Sequence, residues 1–477
     1  MSSHASYTQS TPLGAVGVTV TRHVVAVPAA LNVPYEGADP HVQQDFPDGF
    51  SPSYGSGLAF KGVGSDGDLE FFCLTDRGPN GDGPRLPSLD GAGMMDSKLF
   101  PAPGFTPAIG LLRVGAHGAA LASSLPIRIS PTLMASGLPL PHAAEIPLHD
   151  ALRFDAGGKA VFHAGGIDSE AIAYDRRRGV LWVADEYGPF LMKIDPDSGA
   201  MLERYAPGSG LPPILARRRA NRGMEGMTLD PATDTLHAFL QSPLSDGAAP
   251  YAVTEKVEKI ERYAAFLRWV EFDPASASTL RMMAYPLAGA QFADGRTGNA
   301  KLGDVVALGG GKFIVIEQGE GKHGHVFNKL MLVDTAAATD IGAAAFNPAT
   351  ADLERSSMGG SPVNGADWSA VTPLKKTELL SLNGIGWVAE KAEGLALVDA
   401  HTLAITNDND FGMATRVFDA VGNEVVDADV TGFEVDAGGN IVAGSAATNR
   451  VRVARGAERE LSLWLLSFAQ PLASYGA

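Results

Sequence analysis

Short apolar runs alternate with polar turns from one end of this chain to the other, and the runs come in pairs. Residues 171–174 and 180–184 are two such runs, joined by a polar turn at 175–179. Apolar segments of this length bounded by Asp, Gly and Pro read as the two strands of a β-hairpin. The same pattern recurs at 57–60 with 69–75, 225–230 with 235–241, 304–308 with 312–318, 393–398 with 402–407, and 432–435 with 440–444. Further apolar runs at 109–114, 190–194, 267–272, 330–333, 415–420 and 461–468 supply third and fourth strands. Six hairpins of one pattern form an internal repeat, although its spacing is irregular. Four-stranded sheets repeated radially make a β-propeller. The expected fold is therefore all-β: a propeller of four-stranded blades, six by this count, with five or seven as alternatives. A β-helix would need a short, even repeat, and none is present.

The expected domain is a single propeller over residues 56–470. Before it lies an N-terminal segment, 1–55, partly polar and able to add a closing strand; after it comes a tail at 471–477. Residues 77–106 are rich in Gly and Pro and read as an ordered loop. Residues 254–266 have helical composition, with i,i+4 charge pairs such as Glu255 with Lys259. Residues 340–376 mix small residues, turns and charges and read as a surface excursion.

A hairpin brings its open ends together, so residues just before its first strand and just after its second share one rim. Asp168, Glu170, Asp185 and Glu186 fall there in the 171–184 hairpin. Glu225 and Glu393 hold the first position in two others. Asp76, Glu317, Glu320, Asp408 and Asp410 occupy or follow the second. Turn propensity accounts for any single Asp. It does not account for Glu170, Glu225 and Glu393 recurring at one register, because Glu is a poor turn residue. Carboxylates this close repel one another unless a cation, a hydrogen bond or a shared proton offsets them. Oxygens from several chain segments are what a hard cation such as Ca2+ takes.

Basic residues fall beside these acids. Arg77 follows Asp76, Arg222 lies in NRGMEG, and Lys391 stands two residues before Glu393. Arginine forks bind phosphate or carboxylate through two bonds at once. Arg217, Arg218 and Arg219 read as a solvated run, with Arg222 the stronger candidate. His323 and His325 flank Gly324 in a glycine-rich loop; surface histidines are the commoner case. His163 and His237 sit in apolar runs and read as satisfied core or edge residues.

Composition narrows the partners. The 477 residues carry a net charge of −17, which argues against nucleic acid and anionic membrane as partners. No apolar run approaches the length of a membrane span. The first residues lack the basic-then-apolar order of a signal peptide. Cys73 is the single cysteine, so no intramolecular disulfide can form, and it reads as core. Residues 62–67 and 319–324 match GxGxxG, but a strand follows each where a dinucleotide site needs a helix. GxSxG, HExxH, P-loop and CxxC motifs are absent from the sequence.

The segments DSEAIAYD, WVADEYGP, NRGMEGMTLD, EKAEGLALVD, NDNDFG and TDRGPNGDG together resemble the phytase-like domain family, described as having esterase-like activity of phytase. The resemblance covers residues 56–468. It implies a propeller related in architecture to the alkaline phytases, which are calcium-dependent phosphomonoesterases. The matching positions here are Asp76, Arg77, Glu170, Asp185, Glu186, Tyr187, Asn221, Arg222, Glu225, Lys391, Glu393, Asn407, Asp408 and Asp410. Members are often exported, which implies a periplasmic or secreted protein.

The leading expectation is a metal-dependent hydrolase of phosphate esters, a monomer acting on a small phosphorylated substrate. Ca2+ would be held among Asp76, Glu170, Asp185, Glu186, Glu225, Glu393, Asp408 and Asp410. Glu170, Glu225, Glu393, Arg222 and Lys391 are the candidate catalytic groups, and Arg77, Tyr187, Asn221 and His323 the candidate substrate contacts. Two alternatives stay open: a non-catalytic, Ca2+-stabilised propeller that binds a small ligand or protein partner, and a metal-dependent carboxyl ester or lactone hydrolase.

Overall fold

All six expected hairpins pair, and five of them stand at the centre of the fold as their continuous apolar runs imply. The one at Ser169–Asp175 and Val180–Asp185 shows why. Its turn closes on Gly179 at φ 67°, a left-handed conformation that costs glycine little. Asp175 Oδ1 accepts the Arg178 amide at 2.9 Å across the same turn. All of Val180–Asp185 is buried. Val180, Trp182 and Ala184 pack into one apolar core, and Leu181 and Val183 into another. A strand covered on both faces reads as a continuous apolar run.

The computed structural model describes residues 2–88, 93–141, 145–149, 162–244, 252–255, 258–261, 263–436 and 441–476. The described chain is mostly β. Its hairpins build five sheet units of four or more strands, which begin with Gly57–Val63, Ser169–Asp175, Met224–Asp230, Ala300–Gly309 and Leu395–Leu397; the first and the fifth run on as one nine-stranded sheet, because Gly14–Ala26 pairs parallel with Gly118–Pro126. These first strands contact one another in a closed ring, in chain order, with Leu395–Leu397 returning to Gly57–Val63. Apolar cores lie between successive sheets, including one that joins the fifth sheet back to the first. The arrangement is propeller-like.

Close approach at the centre depends on missing side chains. A Cβ on Gly226 would stand 2.8 Å from the Gly303 carbonyl oxygen, and one on Gly303 would stand 2.5 Å from that of Ala392. Asp304 then ties the central strands together. Its Oδ1 accepts the amides of Val305 at 2.8 Å and Met227 at 3.2 Å, and its Oδ2 accepts Leu395 N at 3.3 Å.

The fifth sheet takes its fourth strand from the other end of the chain. Gly14–Ala26 pairs antiparallel with Ser462–Phe468, from Val18 opposite Phe468 to Val24 opposite Ser462. Its alternating pattern buries Val16, Val18 and Val20 on one face. Ser2–Thr11 folds back along its outside.

The sixth expected hairpin is corrected. Glu434–Val435 does pair with Ile441–Ala443, but this short pair joins Gly81–Pro87, Met94–Leu99 and Glu145–Leu148 in a separate sheet with its own core. Strands of two and three residues, with Val442 and Ala443 exposed, cannot be covered on both faces as a central hairpin is. Its turn at 437–440 lies outside the described residues. The run at 415–420 falls in Met413–Phe418, which pairs with Arg450–Arg455.

The insertions also differ from expectation. Residues 77–106 carry two strands of that separate sheet. In place of a helix at 254–266, Ala252–Glu255 pairs antiparallel with Glu258–Glu261. Charge pairs worth about 0.2–0.5 kcal/mol each do not hold a helix of this length on their own. Residues 340–376 do run over the surface, but they are tied down. The helix Asp352–Ser357 buries Leu353 and sets Glu354 against Arg268, with Nε–Oε1 at 2.7 Å and Nη2–Oε2 at 2.8 Å. Among the described residues, no helix is long and apolar enough to cross a membrane.

Candidate functional site

The rim where the central strands begin encloses a cavity of about 340 Å³. The central strands and their hairpin ends supply Asp76, Arg77, Asp168, Glu170, Glu186, Asn221, Arg222, Lys301, Lys391, Glu393, Asp408 and Asp410. The separate sheet and Met413–Phe418 complete the wall with Asp82, Lys98 and Thr415. A second cavity of about 400 Å³ opens among the same central strands, lined by Leu58, Ile172, Met227, Val305 and Leu395. It shares no lining residue with the carboxylate cavity.

Backbone irregularity aims two of the glutamates. Ser169 pairs with Asp185 and Ala171 with Ala184, which leaves Glu170 without a cross-strand partner. Met224 pairs with Leu240 and Gly226 with Phe239, which leaves out Glu225 in the same way. Both are β-bulges, which re-aim a side chain beside a site. The ladder of the fourth sheet slips at the equivalent place, between Leu302 and Val305, and Asp304 stands there.

The acids crowd. Ligand atoms of Asp168, Glu170 and Glu186 lie within 4.8 Å of one another. Burial pushes Glu186 up to about 7, helped by Asp168 and opposed by Arg222 and Arg77. Burial also raises Glu170 well above the ordinary range, and the charges of Asp168, Glu225 and Glu393 add to it. Glu225 is raised by burial and by Glu186 and Glu393. Asp76 is raised by burial, then by Asp408 and Asp168. Asp408 goes the other way. Burial acts to raise it, but the Lys391 ammonium at 2.6 Å and the Ser53 hydroxyl at 2.8 Å hold it below its usual value.

At this rim three buried carboxylate oxygens accept no hydrogen bond among the described residues: Asp168 Oδ2, Glu186 Oε1 and Glu225 Oε2. Asp168 Oδ2 has Arg77 Nε at 3.4 Å for company. A buried polar atom left unpaired costs about 1–3 kcal/mol, and more when charged. An all-oxygen set with unfilled acceptors and raised pKa values fits a hard divalent cation.

The expected residues divide. Asp76, Arg77, Glu170, Glu186, Asn221, Arg222, Lys391, Glu393, Asp408 and Asp410 line one cavity. Glu225 is buried beside this lining, close enough to Glu186 and Glu393 to feel their charge. Asp185, expected as a metal ligand, is instead a brace. Its Oδ2 accepts Asp168 N at 2.7 Å and its Oδ1 accepts Gly188 N at 2.9 Å. Tyr187, expected at the substrate, is buried with its hydroxyl on the Gly137 carbonyl at 2.6 Å and its ring beside the Arg77 guanidinium. Asn407 Oδ1 accepts Ser462 N at 2.7 Å, which ties two strands of the fifth sheet. Glu317 takes the Tyr285 hydroxyl at 2.5 Å and also pairs with Lys376. His323 lies in the turn Lys322–Gly324, and its side chain is outside the described residues.

Several cavity residues carry no pattern that marks them in the sequence. Lys98 and Asp82 come from an insertion, paired at 2.5 Å. The hairpin pattern does place Asp168 on this rim, but at a position that turn propensity explains equally well, so the sequence does not single it out as a ligand. Lys301 has a faint signal: KLGD aligns with MEGM and AEGL at the strand starts and puts a cation beside the glutamate register.

Comparison with known proteins gives a family match over most of the chain. The family described as "Phytase-like: Esterase-like activity of phytase" matches residues 59–411. An "Uncharacterized secreted protein" of Arthroderma benhamiae is 27% identical over 165 residues, 29% of this chain and 29% of that relative. The match thus spans less than a third of that relative's length. Among solved structures, a protein of unknown function from Dyadobacter fermentans gives a TM-score of 0.32 at 8% identity, over 96% of this chain and 86% of that one. The beta-xylosidase RS223 gives 0.33 at 9% identity, over 84% and 92%.

Proposed function

The chain belongs to the phytase-like family, and on that premise we propose that it is a metal-dependent hydrolase of phosphate esters whose site is the carboxylate cavity. The observation that carries the reading is the set of buried, unpaired oxygens on Asp168, Glu186 and Glu225 beside Arg222. Isolated buried charge is unstable, so such a set calls for a ligand. Asp168, Glu170 and Glu186 would hold a divalent cation, with Ca2+ the first choice for an all-oxygen donor set. Such an ion neutralises the cluster and makes a bound water more acidic.

The chain's own residues do the rest. Arg222 faces the phosphoryl group and offsets the charge that grows on its oxygens. Glu225 Oε2, buried and free of a hydrogen bond, takes a proton from the attacking water. Glu393 is held 3.9 Å from Lys391 Nζ and shares the negative field. Lys391 is committed to Asp408 and Asp410, at 2.6 and 2.7 Å, and so keeps the rim folded. The ring of five sheets is read as a five-bladed propeller, with Gly14–Ala26 as the closing strand. Export is also proposed, on the support of the fungal relative's name.

An add-back assay tests this. Chelator-stripped protein receives Ca2+, Mg2+, Mn2+ or Zn2+ singly, with an aryl phosphate, phytate, an aryl acetate and a lactone as substrates. Phosphatase turnover that returns with one metal, and is absent in Glu225→Gln, supports the reading. Ester or lactone turnover alone overturns the substrate class. If nothing turns over while Ca2+ still raises the melting temperature, the site is a binding site only.

A further inference from the structure

Five cations line the carboxylate cavity, and three are already spent. Arg77 Nη1 meets Glu145 at 2.7 Å and its Nε meets Asp168 at 3.4 Å. Lys98 is on Asp82, and Lys391 is on Asp408 and Asp410. The other two differ. Arg222 gives Nη1 to the neighbouring Asn221 carbonyl at 2.7 Å, and its buried Nε has no partner. The Lys301 side chain makes no hydrogen bond or ion pair among the described residues, although Glu390 and Asp82 on the same cavity wall are near enough to feel its charge. Both are half-buried, and each feels the other's charge. Burial and then Arg222 and Lys391 push the Lys301 ammonium down from its ordinary value. Two unpaired cations on one wall, partly stripped of water, leave a gap that an anion fills. Arg222 also stands close enough to Glu186 and Glu225 to lower both, so the gap adjoins the acid cluster.

We propose that Lys301 and Arg222 form a pincer for the terminal oxygens of a phosphoryl group, and that this pincer selects phosphate monoesters over carboxyl esters and lactones. A monoester dianion offers three oxygens to a planar guanidinium fork and a rotatable ammonium. A carboxyl ester or lactone is neutral there and leaves both cations unpaired. The inference rests on the hydrolase reading of the same cavity and adds Lys301 as its specificity residue.

Inorganic phosphate is the probe, titrated calorimetrically into chelator-stripped protein, so no turnover is needed. Lys301→Gln weakens binding about tenfold or more, the size expected for one lost charge-assisted bond. Lys301→Arg keeps the charge and stays within about threefold of wild type. Melting curves check that each variant folds, and Lys301→Met, which keeps the aliphatic stem, replaces a glutamine variant that does not. Equal phosphate affinity in Lys301→Gln and wild type overturns the pincer, and so does a wild-type protein that binds no phosphate. Phosphate binding that depends on Lys301, without turnover of any phosphate ester, sinks the hydrolase reading and leaves the pincer standing. Turnover with an unchanged KM in Lys301→Gln does the reverse.

Discussion

Asp304 Oδ2 accepts the Leu395 amide at 3.3 Å and so joins the fourth sheet to the fifth at the centre of the ring. Its Oδ1 meanwhile holds Met227 of the third sheet. One carboxylate therefore satisfies amides of three central strands that approach too closely at Gly226 and Gly303 to be padded by side chains. Asp304→Ala strands those amides, at about 1–3 kcal/mol each. Asp304→Asn keeps one acceptor oxygen and loses less. Urea unfolding measures both, and a wild-type midpoint in Asp304→Ala would remove Asp304 from this role.

The Arg268–Glu354 pair holds the 340–376 insertion to the third sheet, with both side chains almost fully buried. Breaking such a pair from one side leaves a buried charge, which costs about 3–5 kcal/mol. Glu354→Gln should lose stability on that scale, while the double change Arg268→Met with Glu354→Leu recovers most of it. A cost for the double change as large as for the single one would show that packing, and not the stranded charge, is what Glu354→Gln disturbs.

His237 gives a pH signature. Burial lowers its pKa to about 4, and its Nδ1 accepts the Trp269 indole N–H at 3.0 Å. The folded chain thus binds this proton less readily than the unfolded chain does. His237 contributes its full stability above the ordinary imidazole value of 6.5 and loses it as pH falls from there toward 4. His237→Gln should flatten that window when urea midpoints are compared at pH 7 and pH 4.5. Other groups titrate there too, but they are common to both proteins, so the difference isolates His237.

The acid cluster has the opposite sign. Glu186 is raised to about 7, so its contribution is present below the unfolded value of 4.5 and fades as pH rises through 7. Metal-free protein should lose stability over that range as the cluster ionises. Added Ca2+ offsets the repulsion, so it should raise the melting temperature more at pH 8 than at pH 5. A Ca2+ effect of equal size at both pH values would place the ion elsewhere.

How much was legible in the chain differs by level. The central hairpins were, because strands buried on both faces must be apolar throughout and must end in turns, as Val180–Asp185 does. The shared register of Glu170 and Glu225 was legible as well, since both break their strands' apolar runs at the same place and both fall on a bulge. The sixth hairpin misled because alternation marks a strand without saying which core covers it. The separate sheet is assembled from residues far apart, Gly81 to Ala443, and no local pattern announces that pairing. Asp185 and Tyr187 misled for a related reason: proximity to the rim does not tell a ligand from a brace, and only their hydrogen bonds to Asp168, Gly188 and Gly137 decide it. Lys301 escaped notice because its alignment at the strand start is faint and the stronger mark, a side chain without an ion pair, exists only in three dimensions.

Glu225 offers the sharpest separation of roles. A structural carboxylate accepts hydrogen bonds, as Asp185 and Asp304 do, and its loss lowers stability. Glu225 is buried, has an oxygen with no bond to accept, and faces the charges of Glu186 and Glu393. Its place in the metal-free fold is held against burial and the repulsion of two neighbouring carboxylates. Glu225→Gln keeps the shape and removes the charge. In metal-free protein it should raise the melting temperature, since one source of repulsion is gone, while turnover in the loaded protein falls by about 10²-fold or more, as loss of a general base does. Thermal melts and initial rates on the same preparations read both signs. A lower melting temperature together with wild-type turnover would make Glu225 a structural residue and move the proton acceptor to Glu393.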